Sequence, residues 1–349
     1  HSQCVVGELL VIIGGGFVPE GGAALQHCND VLLLNLATQE YTVVEATPQE
    51  FTPRRGHSAV VKGADEIVVF GGLTASEQIP DAAVLLNDVA VFNVRTLSWS
   101  KPMCSGPLPD GRRGHAAAMH KDQMFVVGGL APGVDPMIWM LDTNSWEWEV
   151  TLGYGVAPQL HGILAACKHE KRLYIYGSGA MHGVMRTCLV MACLDLEEQE
   201  WHELPVRGSV ASIRFCPAAT LVLNRYFIVF GGSCSSMIGS IENLNSVMVF
   251  DLAQNGRVVC DMLSPAGQLP ARRNGASICA VGDVAIVTGG GVYPEHYYDD
   301  IWLLEFRPPM PSLDVSLRPA TAVSAGPGRG AGTGAAAAAD TSIFNYFAS

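Results

Sequence analysis

The chain is poor in charge, and in positive charge most of all: 15% of its 349 residues are charged, and 21 Lys and Arg face 33 Asp and Glu. A formal charge of −12 argues against nonspecific nucleic-acid binding, which needs a basic stripe to neutralise phosphates. Long apolar runs are missing too. No window approaches the roughly 18 continuous apolar residues of a spanning helix, so no membrane association and no signal peptide are expected. Ten cysteines are present, yet none forms a Cys-x-x-Cys pair, and the ligand spacing of a zinc or redox site is absent. Cys4, Cys167, Cys216 and Cys279 are expected in inner strands as small buried thiols. Unpaired thiols suit a reducing compartment, which points to the cytoplasm with the nucleus as the alternative. No metal and no cofactor are expected.

Glycine and apolar residues are abundant, at 38 glycines and 49% apolar. Short β-rich runs end in glycine pairs or near-pairs at Gly14, Gly71, Gly128, Gly177, Gly231 and Gly289, spaced 57, 57, 49, 54 and 58 residues apart. One unit therefore recurs six times. In the second unit Pro53-Arg54-Arg55-Gly56-His57-Ser58 opens a strand, and Ile67–Phe70 leads into Gly71-Gly72. Asn87-Asp88 then precedes a third strand, and Ser98-Trp99-Ser100 begins a fourth. Four short strands with turn residues between them read as one antiparallel blade, with strands A to D from the axis outward. A period near 50 residues with this content predicts an all-β, six-bladed propeller.

Arg-Gly-His-Ser, the glycine pair, Asn-Asp before strand C and an aromatic in strand D (Tyr41, Trp99, Trp148, Trp201) occur in the order of the Kelch repeat family, which the chain resembles from residue 1 to about 306. The fourth unit departs with Leu160-His161-Gly162, and the fifth with Arg214-Phe215-Cys216. The blades are expected at about 1–52, 53–108, 109–157, 158–209, 210–268 and 269–318. His1 aligns with His57, which makes it a repeat histidine whose preceding Arg-Gly is missing; the sixth blade's outer strand is then either Ser312–Leu317 or lies outside this sequence. Residues 319–349, dominated by Ala, Gly and Pro, are expected to be a disordered tail carrying an apolar island at Ile343–Phe347.

Variable B–C loops and the strand A entrances share one face. The loops of blades three and four are the short ones, which predicts a rim lowered on one side. Arg54-Arg55, Arg112-Arg113 and Arg272-Arg273 reach that face as pairs, with Arg214 beside a fourth strand. Converging guanidinium groups suit bidentate recognition of carboxylates. One member of each pair is expected to be structural, holding an Asp or a carbonyl of the neighbouring blade. Arg55, Arg113 and Arg273 are expected to face ligand, and Arg54, Arg112 and Arg272 to be the structural set. His57, His115 and His161 are read as core hydrogen-bonding residues at one repeat position.

Kelch propellers are commonly interaction domains, among them substrate receptors of ubiquitin ligases that read acidic peptides or chain termini. The resemblance thus implies a noncatalytic module, monomeric within a larger assembly, that binds a protein or acidic peptide on its loop face. No BTB, F-box or cullin-adaptor sequence is visible, so a ligase role needs residues outside this chain. The enzymatic alternatives are a sugar mutarotase or another small-acid-binding enzyme, and a cytoskeletal scaffold is the third class. The iron-binding run of nitrile-specifier proteins is absent, since Leu85 and Leu303 stand where its histidine would be. No catalytic residue is identified.

Overall fold

The computed structural model describes residues 1–319 apart from 20–24, 77–81, 134, 182–183, 209–212, 236–239, 253–257, 264–265, 293–295 and 308–313. Six antiparallel sheets follow one another in the chain. Blade one is Ser2–Val6, Leu9–Phe17, Gln26–Asn35 and Tyr41–Val44, paired in that order from the inside out. Blade two repeats it with Ser58–Lys62, Glu66–Ala75, Ala83–Asn93 and Ser98–Ser100. In blade three the strands are Ala116–His120, Gln123–Val127, Ile138–Asp142 and Glu147–Thr151. Trp146 lies just before the last of these, in the turn, with φ of 59°.

Blade four comprises Gln159–His169, Arg172–Met181, Val184–Asp195 and Glu200–Glu203. Blade five is Ala218–Val222, Tyr226–Phe230, Val247–Asp251 and Val258–Leu263. Blade six is Ser277–Val281, Val284–Thr288, Ile301–Arg307 and Asp314–Pro319. Its outer strand therefore comes from this chain, with Leu303 opposite Arg318 and Arg307 opposite Asp314. Pro319, assigned above to the disordered tail, is part of that strand. The expectation for the rest of the tail, including Ile343–Phe347, falls outside the described residues.

The C–D turns of blades one to four share one device. Asn35, Asn93, Asp142 and Asp195 each accept backbone N–H bonds two and three residues on, and Gln39, Leu97, Trp146 and Gln199 then take positive φ. A short polar side chain bonding its own backbone in this way competes with strand continuation and turns the chain.

Strand B of each blade is buried on both faces, so adjacent residues serve opposite neighbours. Leu10 packs with Val284, Ile286 and Leu303 of blade six, while Val11 packs with Ile67 and Val69 of blade two. Four further apolar clusters join blades two to three, three to four, four to five and five to six. The cluster between blades six and one closes the ring. Polar contacts reinforce that seam: Ser277 Oγ donates to the His1 carbonyl at 2.9 Å, and Gln3 Nε2 donates to Ile286 O at 2.7 Å.

Candidate functional site

Four arginines stand at the start of strand A with side chains fully or almost fully buried: Arg54, Arg112, Arg214 and Arg273. Arg54 holds both Asp88 oxygens at 2.7 Å and donates to Gly71 O at 3.0 Å. Arg112 donates to one oxygen of Asp135 and to Gly128 O, and Arg273 to both oxygens of Asp300 and to Gly289 O. Arg214 has Ser246 where the others have Asp, and bonds its carbonyl and hydroxyl at 2.9 Å. These partners lie in the arginine's own blade rather than the neighbouring one. It is the main chain that crosses: Arg54 N donates to Cys28 O at 2.9 Å, and Gly15 N donates to Arg54 O at 2.8 Å. Arg112 and Arg273 make the corresponding two bonds, so these three arginines stitch their blades to the ones before.

Burial raises the Asp135 carboxyl, but hydrogen bonds from Arg112 and Trp139 outweigh it and hold the group below the usual carboxylate range. Asp300 is held down in the same way by Arg273 and Trp302.

The third pair requires a correction. Arg273, expected to face ligand with Arg55 and Arg113, occupies the buried slot, and Arg272, expected to be structural, is exposed. The reason lies in the distance to the following glycine. Arg54, Arg112 and Arg273 each stand two residues before Gly56, Gly114 and Gly275, whereas Arg272 stands three before. The position facing the mouth is filled by Arg55, Arg113, Phe215 and Asn274, each bridged to the residue just past its glycine pair. Leu160 takes this register in blade four, opposite Gly179.

At the mouth, Arg55 Nε donates to His27 Nε2 at 3.2 Å. Burial and the Arg55 charge lower the His27 pKa, which keeps the ring neutral and able to accept. Arg113 lies over Gly56, where a Cβ would meet its own Cβ at 3.3 Å. Among the described residues its guanidinium has neither an ion pair nor a hydrogen bond. Cys216 stands at the position of Gly56 and Gly114, with φ of 51°, and so precedes the inner strand instead of lying in it. Burial raises its thiol pKa, and the charges of Arg113 and Arg55 pull the other way. Main-chain bonds from Gly114 N to Gly56 O and from Gly275 N to Cys216 O link neighbouring blades at this level.

The rim is uneven. Strands B and C run on past the glycine pair to Ala75 and Ala83 in blade two, and to Met181 and Val184 in blade four. Blades five and six carry separate small hairpins, Ser233–Ser235 with Ile241–Asn243 and Gly291–Val292 with His296–Tyr297. Blade four is therefore not low. Among the described residues only blade three lacks strand extension on this face.

His57 and His115 are structural. Each ring nitrogen Nε2 bonds a serine hydroxyl of the preceding blade at 2.8 Å, Ser2 and Ser58 respectively, and each ring packs against that blade's glycine, Gly14 or Gly71. His161 does not share their position; the bulge between His161 and Ala165 puts Leu164 there, against Gly128. Burial pushes the Cys4 and Cys193 thiols up to about 12 and also raises Cys167 and Cys279. Among the described residues no three His, Cys, Asp or Glu side chains group as metal ligands, and no helix is long and apolar enough to cross a membrane.

Comparison with known proteins agrees with this architecture. Kelch domain-containing protein 3 of Bos taurus is 26% identical over 273 residues, covering 73% of this chain and 69% of that protein. The Rattus norvegicus protein of the same name is 24% identical over 340 residues, covering 90% and 85%. Host cell factor 1 of Homo sapiens is 25% identical over 221 residues, of which the chain spans only 11% of the relative's length. The solved structure of YjhT superposes with a TM-score of 0.64 at 17% identity, covering 91% of this chain and 96% of that one, a likeness of fold. A family model described as the KLHDC2/KLHL20/DRC7 Kelch-repeats domain matches residues 1–232. A match over that much of the sequence makes the chain a member of this Kelch-repeat family.

Proposed function

We propose that the chain is a noncatalytic interaction module that binds an acidic peptide or an acidic segment of a partner protein in the mouth between the B–C loops. The observation that carries this reading is the split between adjacent arginines. Arg54 and Arg112 are neutralised by Asp88 and Asp135, whereas Arg113, the next residue after Arg112, has neither an ion pair nor a hydrogen bond among the described residues. In a protein of formal charge −12, positive charge kept at a concave opening favours a carboxylate ligand. The fold's membership supports binding over catalysis. The free cysteines suit the reducing cytoplasm as the working compartment.

The test is titration of the purified chain with a Glu-rich decapeptide and its Gln counterpart. Selective binding of the Glu peptide, weakened about tenfold or more by Arg113→Ala and by added salt, is expected. Equal affinity for the two peptides, or no loss on Arg113→Ala, rejects the reading.

A further inference from the structure

The outer edges of the blades are not treated alike. In blades three to six, the connection arriving from the previous blade lays a short parallel stretch along the outermost strand before it turns inward. Ser105 bridges Glu147 in blade three. Tyr154–Gly155 pairs with Glu200–Trp201 in blade four, Val206–Gly208 with Val258–Cys260 in blade five, and Ala266–Gly267 with Ser316–Leu317 in blade six. Three of these stretches end on a glycine of positive φ, Gly106, Gly155 and Gly208, placed where a Cβ would strike the carbonyl of Trp148, Trp201 or Cys260. Cys104 and Val206, just ahead of two of these glycines, pack into the clusters between blades. In blade two the same connection makes a turn instead, with Phe51 stacked on Trp99 at 4.0 Å and Gln49 O accepting from Lys101 Nζ at 2.7 Å.

Blade one differs. Tyr41–Val44 is the outermost strand of a four-stranded sheet, and Val43 is 48% exposed. By the pattern of the ring, the stretch belonging there is the one that leaves the outer strand of blade six. That strand ends at Pro319, and the sequence continues Ala320-Thr321-Ala322-Val323-Ser324-Ala325-Gly326-Pro327. Its small and β-branched residues ending in Gly-Pro repeat the character of Cys104-Ser105-Gly106-Pro107. Gly326 follows seven residues after the end of its strand, against six for Gly106 and four for Gly155, a connection one residue longer than the longest of these.

We propose that the edge of Tyr41–Val44 is a docking site for residues 321–326 of this chain, which add a parallel strand to blade one and close the ring on its outer side. A sheet edge offers a row of main-chain donors and acceptors that one added strand satisfies. Adding it here joins the first blade to the last by main-chain bonds, where the apolar seam of Leu10 and Val284 already holds them together.

Hydrogen exchange read at Thr42, Val43 and Val44 tests this in three versions of the chain. Removal of residues 320–349 should speed exchange at those amides about tenfold or more, while the outer strand of blade three is unchanged. Removal of 331–349 alone should leave them protected. Val323→Pro in the full chain should reproduce the larger truncation, because proline cannot donate to the added ladder. A synthetic peptide of residues 319–330, given to the truncated chain, should restore protection. Equal exchange in the full and truncated chains overturns the proposal. Protection that survives both truncation and Val323→Pro, or that rises with protein concentration, assigns the edge to a second copy and overturns it as well.

Discussion

Residues 54 and 55 are neighbours in sequence, as are 112 and 113, yet the two positions behave as different kinds of residue. At the first, the guanidinium is fully buried, bonded to a carboxylate and to the carbonyl of a glycine in its own blade. At the second, the side chain leaves toward the opening. Strand geometry accounts for this, since successive side chains point to opposite sides of an extended chain. The same basic residue is a structural bolt or a candidate ligand contact according to which side the pleat sends it. The two positions also tolerate different chemistry. The buried slot holds Arg in blades two, three, five and six, whereas the mouth position is Arg, Arg, Phe and Asn in those blades.

The sharpest way to break this contrast lies in blade six, where the pair is displaced by one residue. Arg273→Ala removes the ion-pair partner of Asp300, which keeps its bond from Trp302, and the donor to the Gly289 carbonyl; removing one partner of a buried ion pair costs about 3–5 kcal/mol. Arg272→Ala removes an exposed side chain and should change stability by less than about 0.5 kcal/mol. Urea midpoints of the two variants decide the matter. Equal losses, or a larger loss at Arg272, would show that position within the pair, not distance to Gly275, sets the role.

Acid is the next lever. Burial, then the nearby Arg112 charge, lowers His115 from 6.5 to about 3, and His57 is also pushed well below its usual value. Below pH 6.5 these rings bind protons in the unfolded chain but not in the fold, so each removes stability as pH falls toward its folded value. The slope is up to about 1.4 kcal/mol per pH unit for each ring. Asp135 and Asp300, held below the usual carboxylate range, add their own loss only at lower pH, below about 4. Denaturant midpoints between pH 7 and 5 should therefore fall, and His115→Asn should flatten that fall. A midpoint independent of pH over this window would mean that the rings are not neutral in the fold.

A smaller effect comes from the bond between blades that these histidines make. Ser58→Ala removes the hydroxyl bonded to His115 Nε2 at 2.8 Å, which should cost about 1 kcal/mol. The matching change Ser2→Ala, at the bond to His57, should cost the same, and different values would distinguish the two seams.

The periodic part of this molecule was legible in sequence because the fold repeats its reasons. Glycine pairs and the aromatic of strand D recur wherever the same backbone problem recurs, while Asn29-Asp30 and Asn87-Asp88, expected ahead of strand C, lie inside it at the irregularity opposite the glycine pair. Two kinds of feature were not legible in that way. The first was register: two arginines in a row look identical in all three blades, and only the spacing to Gly56, Gly114 and Gly275 separates Arg54, Arg112 and Arg273 from Arg55, Arg113 and Arg272. That signal was present and was misread. The second was irregular backbone. The bulge after His161 moves Leu164 into the histidine position, and the paired extension in blade four raises a loop that its length alone made look short. Neither is announced by a turn residue, because both depend on cross-strand pairing rather than on local preference.

The smallest expected effect is the one that most directly separates the two arginine positions. Arg113 packs over Gly56 of the preceding blade, while Arg112 turns back into its own blade toward Asp135. Adjacent residues usually couple when both are replaced, because they share partners. These two share none among the described residues. Arg113→Ala should therefore move the urea midpoint by less than about 0.5 kcal/mol, and the double variant should lose no more than Arg112→Ala alone within about 0.5 kcal/mol. Additivity of this kind would place stability in one column of arginines and leave the other free for recognition. A coupling energy above about 1 kcal/mol would mean that the mouth arginine helps hold the blade seam, and the division between bolt and contact would fail at blade three.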